Sequence, residues 1–386
     1  SGDHWGPITQ HSIILMVGAV VVVFMHNIPY KWFQVFPVFL LPLSVVLLAL
    51  VMMMERINGA ARWMTFMGVQ FQPSEVAKMA VIIVTAFILS KGQDEDGASP
   101  KAFKRIMIIT GVICLLIAPE NLSTAALLFG VVYLMMFIGR VAMKKLLILA
   151  GGLAGVAIIG VTFLVLTKNS DLPFLHRFDT WRARIEKFTN DNEVPAAKFD
   201  IDKDAQIAHA RIAVATSHVV GKGPGNSVQR DFLSQAFSDF IFAIIIEELG
   251  LIGGAFVVFL YVCLLIRVGR IAKKCERTFP AFLIIGIALL LVSQAIFNMM
   301  VAVGLAPVTG QPLPLISKGG TSTLINCAYI GMILSVSRYT ARLEEQKEHD
   351  ALIPMQVEVP AEETNSDAQT AAEPTAKVLN SDAEFE

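Results

Sequence analysis

The chain has 386 residues, of which 55% are apolar and only 16% charged, with a net charge of −1. Its mean hydropathy of +0.62 excludes a soluble globular domain, whose surface needs far more charge. The net charge says nothing about partners, and no nucleic-acid partner is expected; the distribution of charge is more informative.

In chain order the apolar residues fall in long blocks rather than stripes: His11–Ile28, Val35–Met54, Ser74–Leu89, Ile106–Ala118, Leu122–Ile138, Leu146–Leu166, Phe240–Ile266, Phe279–Val303 and Thr321–Val336. About 20 helical residues cross the hydrocarbon core, so these blocks predict an all-α polytopic membrane protein with nine spans. With the N-terminus outside, the inner segments near Lys31, Lys91–Arg105, Arg140–Lys145, Arg267–Arg277 and Arg338–Lys347 hold sixteen Lys and Arg. The short outer loops hold only Arg56, Arg62 and Lys318. That asymmetry predicts the orientation, with the long loop 167–238 outside and the C-terminus cytoplasmic. A chain starting outside with no span before it leads us to expect a first span upstream in the natural protein.

The first outer loop carries Arg62 beside Trp63 and leads into Gln72-Pro73-Ser74-Glu75-Val76-Ala77-Lys78. Pro73 and Ser74 suit a helix start, Glu75 suits its positive dipole end, and Lys78 is one turn on from Glu75. An interfacial ion pair is one reading; ionisable groups facing a functional cavity are the other. In the long outer loop, Asp204–Val220 has near-helical spacing and predicts a helix at the membrane surface. The glycine-rich turn Gly221–Gln229 (GKGPGNSVQ) follows, with Gly223, Gly225 and Asn226 at its centre. Arg230 and Asp231 come next, and Asp239 stands at the outer mouth of the span Phe240–Ile266. Position alone allows Asp239 to be a helix cap. Glu247 and Glu248 lie deeper on the same block, as paired carboxylates that need a cationic partner or a cavity.

The last outer loop, Gly304–Gly320, carries three prolines and Ser317-Lys318-Gly319-Gly320, and predicts a rigid non-helical turn at membrane depth. Cations there suit an anionic lipid pyrophosphate, and a carboxylate suits proton abstraction from a hydroxyl. Metalloprotease, P-loop and nucleophile-elbow motifs are absent. Cys114, Cys263 and Cys327 fall within spans and Cys275 in an inner loop, as packing residues rather than a disulfide framework. Residues 344–386 are acidic and poor in aromatics, and predict a disordered cytoplasmic tail after a membrane domain over 1–343.

The linked motifs NGAARW, QPSEVAK, PENLSTA, GKGPGNSVQ, SDFIFAIIIEELG and GLAPVTGQPLPLISKGG resemble, in order and in topology, those of the SEDS family (shape, elongation, division and sporulation). These are peptidoglycan glycosyltransferases with ten spans, and GNSVQ is more similar to the cell-division branch than to the elongation branch. The resemblance covers Trp32–Arg342. It implies polymerisation of lipid II into β-1,4 glycan outside the bacterial cytoplasmic (inner) membrane, with inversion, and Asp239 as general base. It further implies substrate-binding roles for Arg62, Glu75, Lys78, Asp231, Ser317 and Lys318, and structural or cavity roles for Glu247, Glu248, Gly223, Gly225 and Asn226. A divalent cation (Mg2+ or Mn2+) assisting the leaving pyrophosphate, a class B penicillin-binding protein, other division proteins and membrane lipid are the implied cofactor and partners. Three departures stand out. Leu233-Ser234-Gln235-Ala236-Phe237-Ser238-Asp239 replaces the family's LPEAHTD, Pro307-Val308-Thr309-Gly310 replaces PTKG, and Ile316-Ser317-Lys318-Gly319-Gly320 replaces ISYGG; Lys318 is expected to restore the cation lost from PTKG. The rival functions for such a cavity are a lipid-linked-precursor flippase and a non-catalytic division scaffold.

Overall fold

The computed structural model describes residues 5–53, 64–66, 69–94, 97–166, 201–233 and 237–352. Among them the helices are α1 (Trp5–Asn27), α2 (Phe36–Met53), α3 (Pro73–Lys91), α4 (Pro100–Ile117), α5 (Leu122–Ile138), α6 (Met143–Leu166), α7 (Ile201–Ala215), α8 (Ile241–Lys274), α9 (Thr278–Ala302) and α10 (Gly320–Leu352). Each of the nine apolar blocks falls on one of these helices, and α7 is the additional surface helix. Six helices are long and apolar enough to cross a membrane, and Ser12–Asn27 and Leu122–Ile138 are shorter apolar helices. Two short antiparallel ribbons accompany them, β1 (Met64–Phe66) with β2 (Val69–Phe71), and β3 (Gln93–Asp94) with β4 (Gly97–Ala98).

The chain divides into two units, Ser1–Ala341 and Arg342–Glu386. In the second unit the helix runs on through Leu352, past Glu344, where the composition predicts disorder. Residues 353–386 of the tail lie outside the described residues.

Within the first unit α3 is the axis. It packs against α2, α4, α5 and α9, and α9 packs in turn against α5 and α8. About three quarters of α3 is buried (72%), against 22% of α2 and 6% of the α6 window. The contrast has a simple cause. Leu, Val, Ile and Phe on α2, α6 and the outer face of α8 stay exposed, as a lipid-facing surface allows. Polar groups collect on α3, α9 and α10, where protein covers them.

Local chemistry sets the helix ends. Pro73 occupies the first turn of α3, where its missing N–H costs nothing. Ser99 caps α4 by accepting from Ala102 N, and Asn121 caps α5 by accepting from Thr124 N at 3.1 Å. Between helix ends, Gln93 donates to Gly139 O and Arg338 clasps Asn27, at 3.0 Å to its carbonyl. These bonds join the ends of α3, α5, α1 and α10.

Candidate active site

Asp239 sits in a short turn, residues 237–239, just before Phe240, the N-cap position of α8. Its carboxylate Oδ1 accepts from Ser238 Oγ at 3.0 Å, and the residue is half-buried. Asp239 is therefore one residue upstream of the cap. What fixes the turn comes from elsewhere in the chain. Phe237 O accepts from Lys318 N at 2.7 Å, Ser238 O from Ser317 Oγ at 2.6 Å, and Asp239 O from Asn298 Nδ2 at 2.9 Å. Three successive carbonyls are each held by a donor from the last outer loop or from α9.

That loop, residues 303–319, is non-helical as its prolines predict. Ser317 Oγ also accepts from Leu313 N at 2.7 Å, and Tyr261 of α8 donates to Pro314 O. Gln311 ties the loop to α5: Nε2 donates to Thr124 Oγ1 at 2.5 Å, and its carbonyl accepts from Asn298 Nδ2 at 2.8 Å. Irregular backbone at this depth needs such partners, because lipid offers none. Leu315, between Pro314 and Ser317, has φ of 66°. A leucine in the left-handed region stores strain of about 1–2 kcal/mol, which the surrounding bonds must outweigh.

The predicted site residues divide by location. Ser317 is buried, with its hydroxyl engaged between Ser238 O and Leu313 N, so it acts on the backbone of the aspartate's turn. Lys318 holds Phe237 with its backbone and leaves its side chain exposed. Glu75 and Lys78 pair at 2.6 Å in the first turns of α3, with side chains 4% and 0% exposed. The pair is interior, not interfacial. Burial also makes it interdependent, since removing either partner strands a charge without water. Arg62, with the rest of NGAARW, and Ser234–Ala236 lie outside the described residues.

Glu247 forms a second cluster. The block Phe240–Ile266 reads as one uninterrupted span, but α8 breaks at Gly250, where φ is 72° and ψ is −172°. The loop 217–229 fills the break. Lys222 N and Gly223 N donate to the carbonyls of Glu247 and Glu248, while Leu251 N and Ile252 N donate to those of His218 and Val219. Both freshly exposed helix ends are thus capped by one segment. Gly221 and Gly250 meet back to back: a Cβ on Gly250 would lie 2.2 Å from Val219 O. This also explains why α7 ends at Ala215 rather than continuing to Val220, since His218 to Gly223 are needed at the break.

The Glu247 carboxylate, fully buried, accepts from Lys222 Nζ at 2.6 Å, Ser227 Oγ at 2.5 Å, Val228 N at 3.2 Å and Gln229 N at 3.3 Å. Its cationic partner comes from the loop, not from a neighbouring helix. Glu248 is only half-buried and contributes its backbone carbonyl. Asn226 Nδ2 closes the turn on Lys222 O, and Gly223 and Gly225 adopt positive φ. Ser227 Oγ accepts from Arg230 N, setting the start of the 3-10 turn Gln229–Phe232 that carries Arg230 and Asp231.

Sequence reading missed Asn298, Gln311 and Thr124, which are all buried. A signal existed: Gln294 and Asn298 are polar residues one turn apart near the outer end of an otherwise apolar span.

Comparison with known proteins decides the family. The family model described as "Cell cycle protein", FtsW/RodA/SpoVE, matches residues 1–342. The chain is 32% identical over 356 residues to the probable peptidoglycan glycosyltransferase FtsW of Halomonas elongata, covering 90% of this chain and 85% of that one. It is 34% identical over 282 residues to the probable peptidoglycan glycosyltransferase FtsW of a Geobacter species, covering 72% of each. The chain belongs to the FtsW/RodA/SpoVE family.

Solved structures share the family fold. A chain of a peptidoglycan synthase complex that coordinates polymerization and crosslinking superposes with TM-score 0.69 at 24% identity, over 88% of this chain and 92% of that one. The rod-shape-determining protein RodA of Thermus thermophilus gives TM-score 0.60 at 23% identity, over 86% and 87%.

The resemblance also implies a divalent cation. Among the described residues no group of three or more His, Cys, Asp or Glu converges on a metal position. Glu75 is bound to Lys78, and Glu247 to Lys222 and the loop, so these carboxylates do not make a cage for a hard cation. The described residues do not fit a resident metal.

Proposed function

We propose that this family member is the peptidoglycan glycosyltransferase of cell division, polymerising lipid II at the outer face of the bacterial inner membrane. Its nine apolar helices cross the membrane, with the long loop outside and the C-terminus in the cytoplasm. The positive-inside bias supports this orientation, because every element of the Asp239 cluster then falls on the outer side.

The observation that carries the reading is the Asp239 turn, where three consecutive carbonyls are held, Asp239 is half-buried and Lys318, whose backbone holds Phe237, keeps an exposed side chain. Asp239 accepts the proton of the acceptor's GlcNAc 4-hydroxyl. The resulting oxygen bonds to the donor sugar's anomeric carbon, and the bond from that carbon to the pyrophosphate oxygen breaks. The configuration inverts to a β-1,4 linkage, and undecaprenyl pyrophosphate leaves with the bonding pair. Preorganised cations favour that developing charge, with Lys318 and Arg230 the described candidates and Arg62 the candidate from the first outer loop. Any divalent cation would arrive with the pyrophosphate. A class B penicillin-binding protein supplies crosslinking, as the relatedness to a synthase complex supports.

Gel analysis of glycan made from lipid II by the purified protein, with and without that partner, tests the reading. Wild-type chains and at most a trace from Asp239→Asn are expected. Glycan at the wild-type level from Asp239→Asn would remove Asp239 as base. Failure of the wild-type protein with its partner would return the flippase reading, since purified lipid II requires no second leaflet.

A further inference from the structure

We propose that Asn298 is a positioning residue for the reaction, holding the backbone of Asp239 and the last outer loop in one register; the inference rests on Asp239 as the base. Asn298 lies on α9 one turn before the helix ends at Ala302, and it is 1% exposed. Its single amide nitrogen donates to Asp239 O at 2.9 Å and to Gln311 O at 2.8 Å. The amide oxygen is buried and has no partner among the described residues.

Two acceptors at one position demand a nitrogen carrying two hydrogens, which among neutral side chains only Asn and Gln supply. The same requirement sets the orientation of the amide. A flipped amide would place its oxygen against two carbonyl oxygens. The unpaired oxygen is a burden that apolar surroundings make worse, yet the donor side is complete. The residue is thus arranged for its two donors.

Those two carbonyls belong to different segments, 59 and 13 residues away. Holding Asp239 O orients the peptide plane between Asp239 and Phe240, and with it the Cα–Cβ direction of the carboxylate. Holding Gln311 O anchors the start of the loop whose other end provides Ser317 Oγ and Lys318 N for Ser238 and Phe237. Gln311 is in turn pinned to Thr124 on α5. Asn298 therefore connects α5, α9 and the loop to the residue that takes the proton. The support is rigid, since α9 is among the more buried helices. Misplacement of a reacting group by about 1 Å costs on the order of 100-fold in rate.

The test uses the full chain, purified with its penicillin-binding partner, and measures kcat and KM for lipid II alongside thermal unfolding. Asn298→Asp keeps the size and loses both donors. We expect kcat to fall by about 10- to 100-fold with KM changed far less. Asn298→Asp in the Asp239→Asn background should lower residual turnover no further, because the clamp acts through Asp239. If the aspartate variant does not fold, Thr124→Val and Ser317→Ala, which release the same register from its two ends, should each lower kcat without raising KM. Wild-type kcat in a folded Asn298→Asp protein, or a loss confined to KM, overturns the proposal. With Asn298→Asp unfolded, wild-type kcat in both end variants does the same. An inactive Asp239→Asn beside a fully active Asn298→Asp would defeat the clamp and leave the base; an active Asp239→Asn would defeat the base itself.

Discussion

Two acidic residues that the sequence singles out, Glu75 and Asp239, are held in opposite ways. Glu75 is secured within one helix by Lys78, three residues on and 2.6 Å away, with both groups in the interior. The turn that carries Asp239, residues 237–239, is secured through its three carbonyls by donors 59 to 81 positions downstream of them, and Asp239 itself is half-buried. The first arrangement neutralises a charge where water is missing and makes it part of the core. The second uses tertiary contacts to orient the backbone of a half-buried residue. A buried pair bears on stability; an oriented carboxylate is suited to proton transfer.

That contrast can be broken in four places. The largest effect belongs to Asp239→Asn: turnover of lipid II should fall by roughly 100- to 10,000-fold, the usual worth of a general base, with the melting temperature nearly unchanged. A large drop in melting temperature would mean that Asp239 is structural like Glu75. Lys78→Met should do the reverse, destabilising the protein by about 3–5 kcal/mol because Glu75 is left charged in the interior. Chemical or thermal denaturation reads this directly, and a protein of unchanged stability would show that the pair is hydrated. Relief by the double change Glu75→Gln with Lys78→Met would sharpen the point.

Gly250→Ala tests the second cluster. The added Cβ meets Val219 O at 2.2 Å and forces a non-glycine into positive φ. The conformational part alone is about 1–2 kcal/mol, so a clear fall in melting temperature is expected. Wild-type stability would show that the helix break is not kept. The smallest effect is assigned to Lys318→Ala, whose side chain is exposed and screened. We expect a several-fold loss of activity that shrinks as salt is raised, seen in steady-state assays across ionic strength. Full activity at every ionic strength would remove Lys318 from the pyrophosphate site.

The clusters differ in how far they could be read in advance. Pro73, Glu75 and Lys78 form a local pattern: a helix start, an acid at its positive end and a base one turn later. Their spacing alone brings them together. The outer loop Gly304–Gly320 was legible as irregular from its prolines, but its partners were not. Glu247 was recognisable as a buried acid, whereas its coordination by Lys222, Ser227 and two backbone N–H groups depends on Gly250 breaking α8. Residues Gly221–Gln229 look like a glycine-rich turn until Lys222 and Gly223 are seen capping one end of that break, with His218 and Val219 just upstream capping the other. Asn298 shows in the sequence only as a polar residue in an apolar span; the partners of Asn298 and Gln311, 13 to 187 residues away, leave no local signature.

By itself the sequence determined a helical membrane protein and the Glu75–Lys78 pairing, and it predicted an orientation with the polar motifs outside. Each of these follows from hydropathy, charge asymmetry or contacts within a few residues. Only the tertiary structure decided which donors hold the Asp239 turn, why α8 breaks, and that the Ser317 hydroxyl serves the backbone while the Lys318 side chain is exposed. The physical reason is distance along the chain. A carbonyl in non-helical backbone at membrane depth must find a donor, and which donor it finds is set by the packing of α5, α8 and α9 around it.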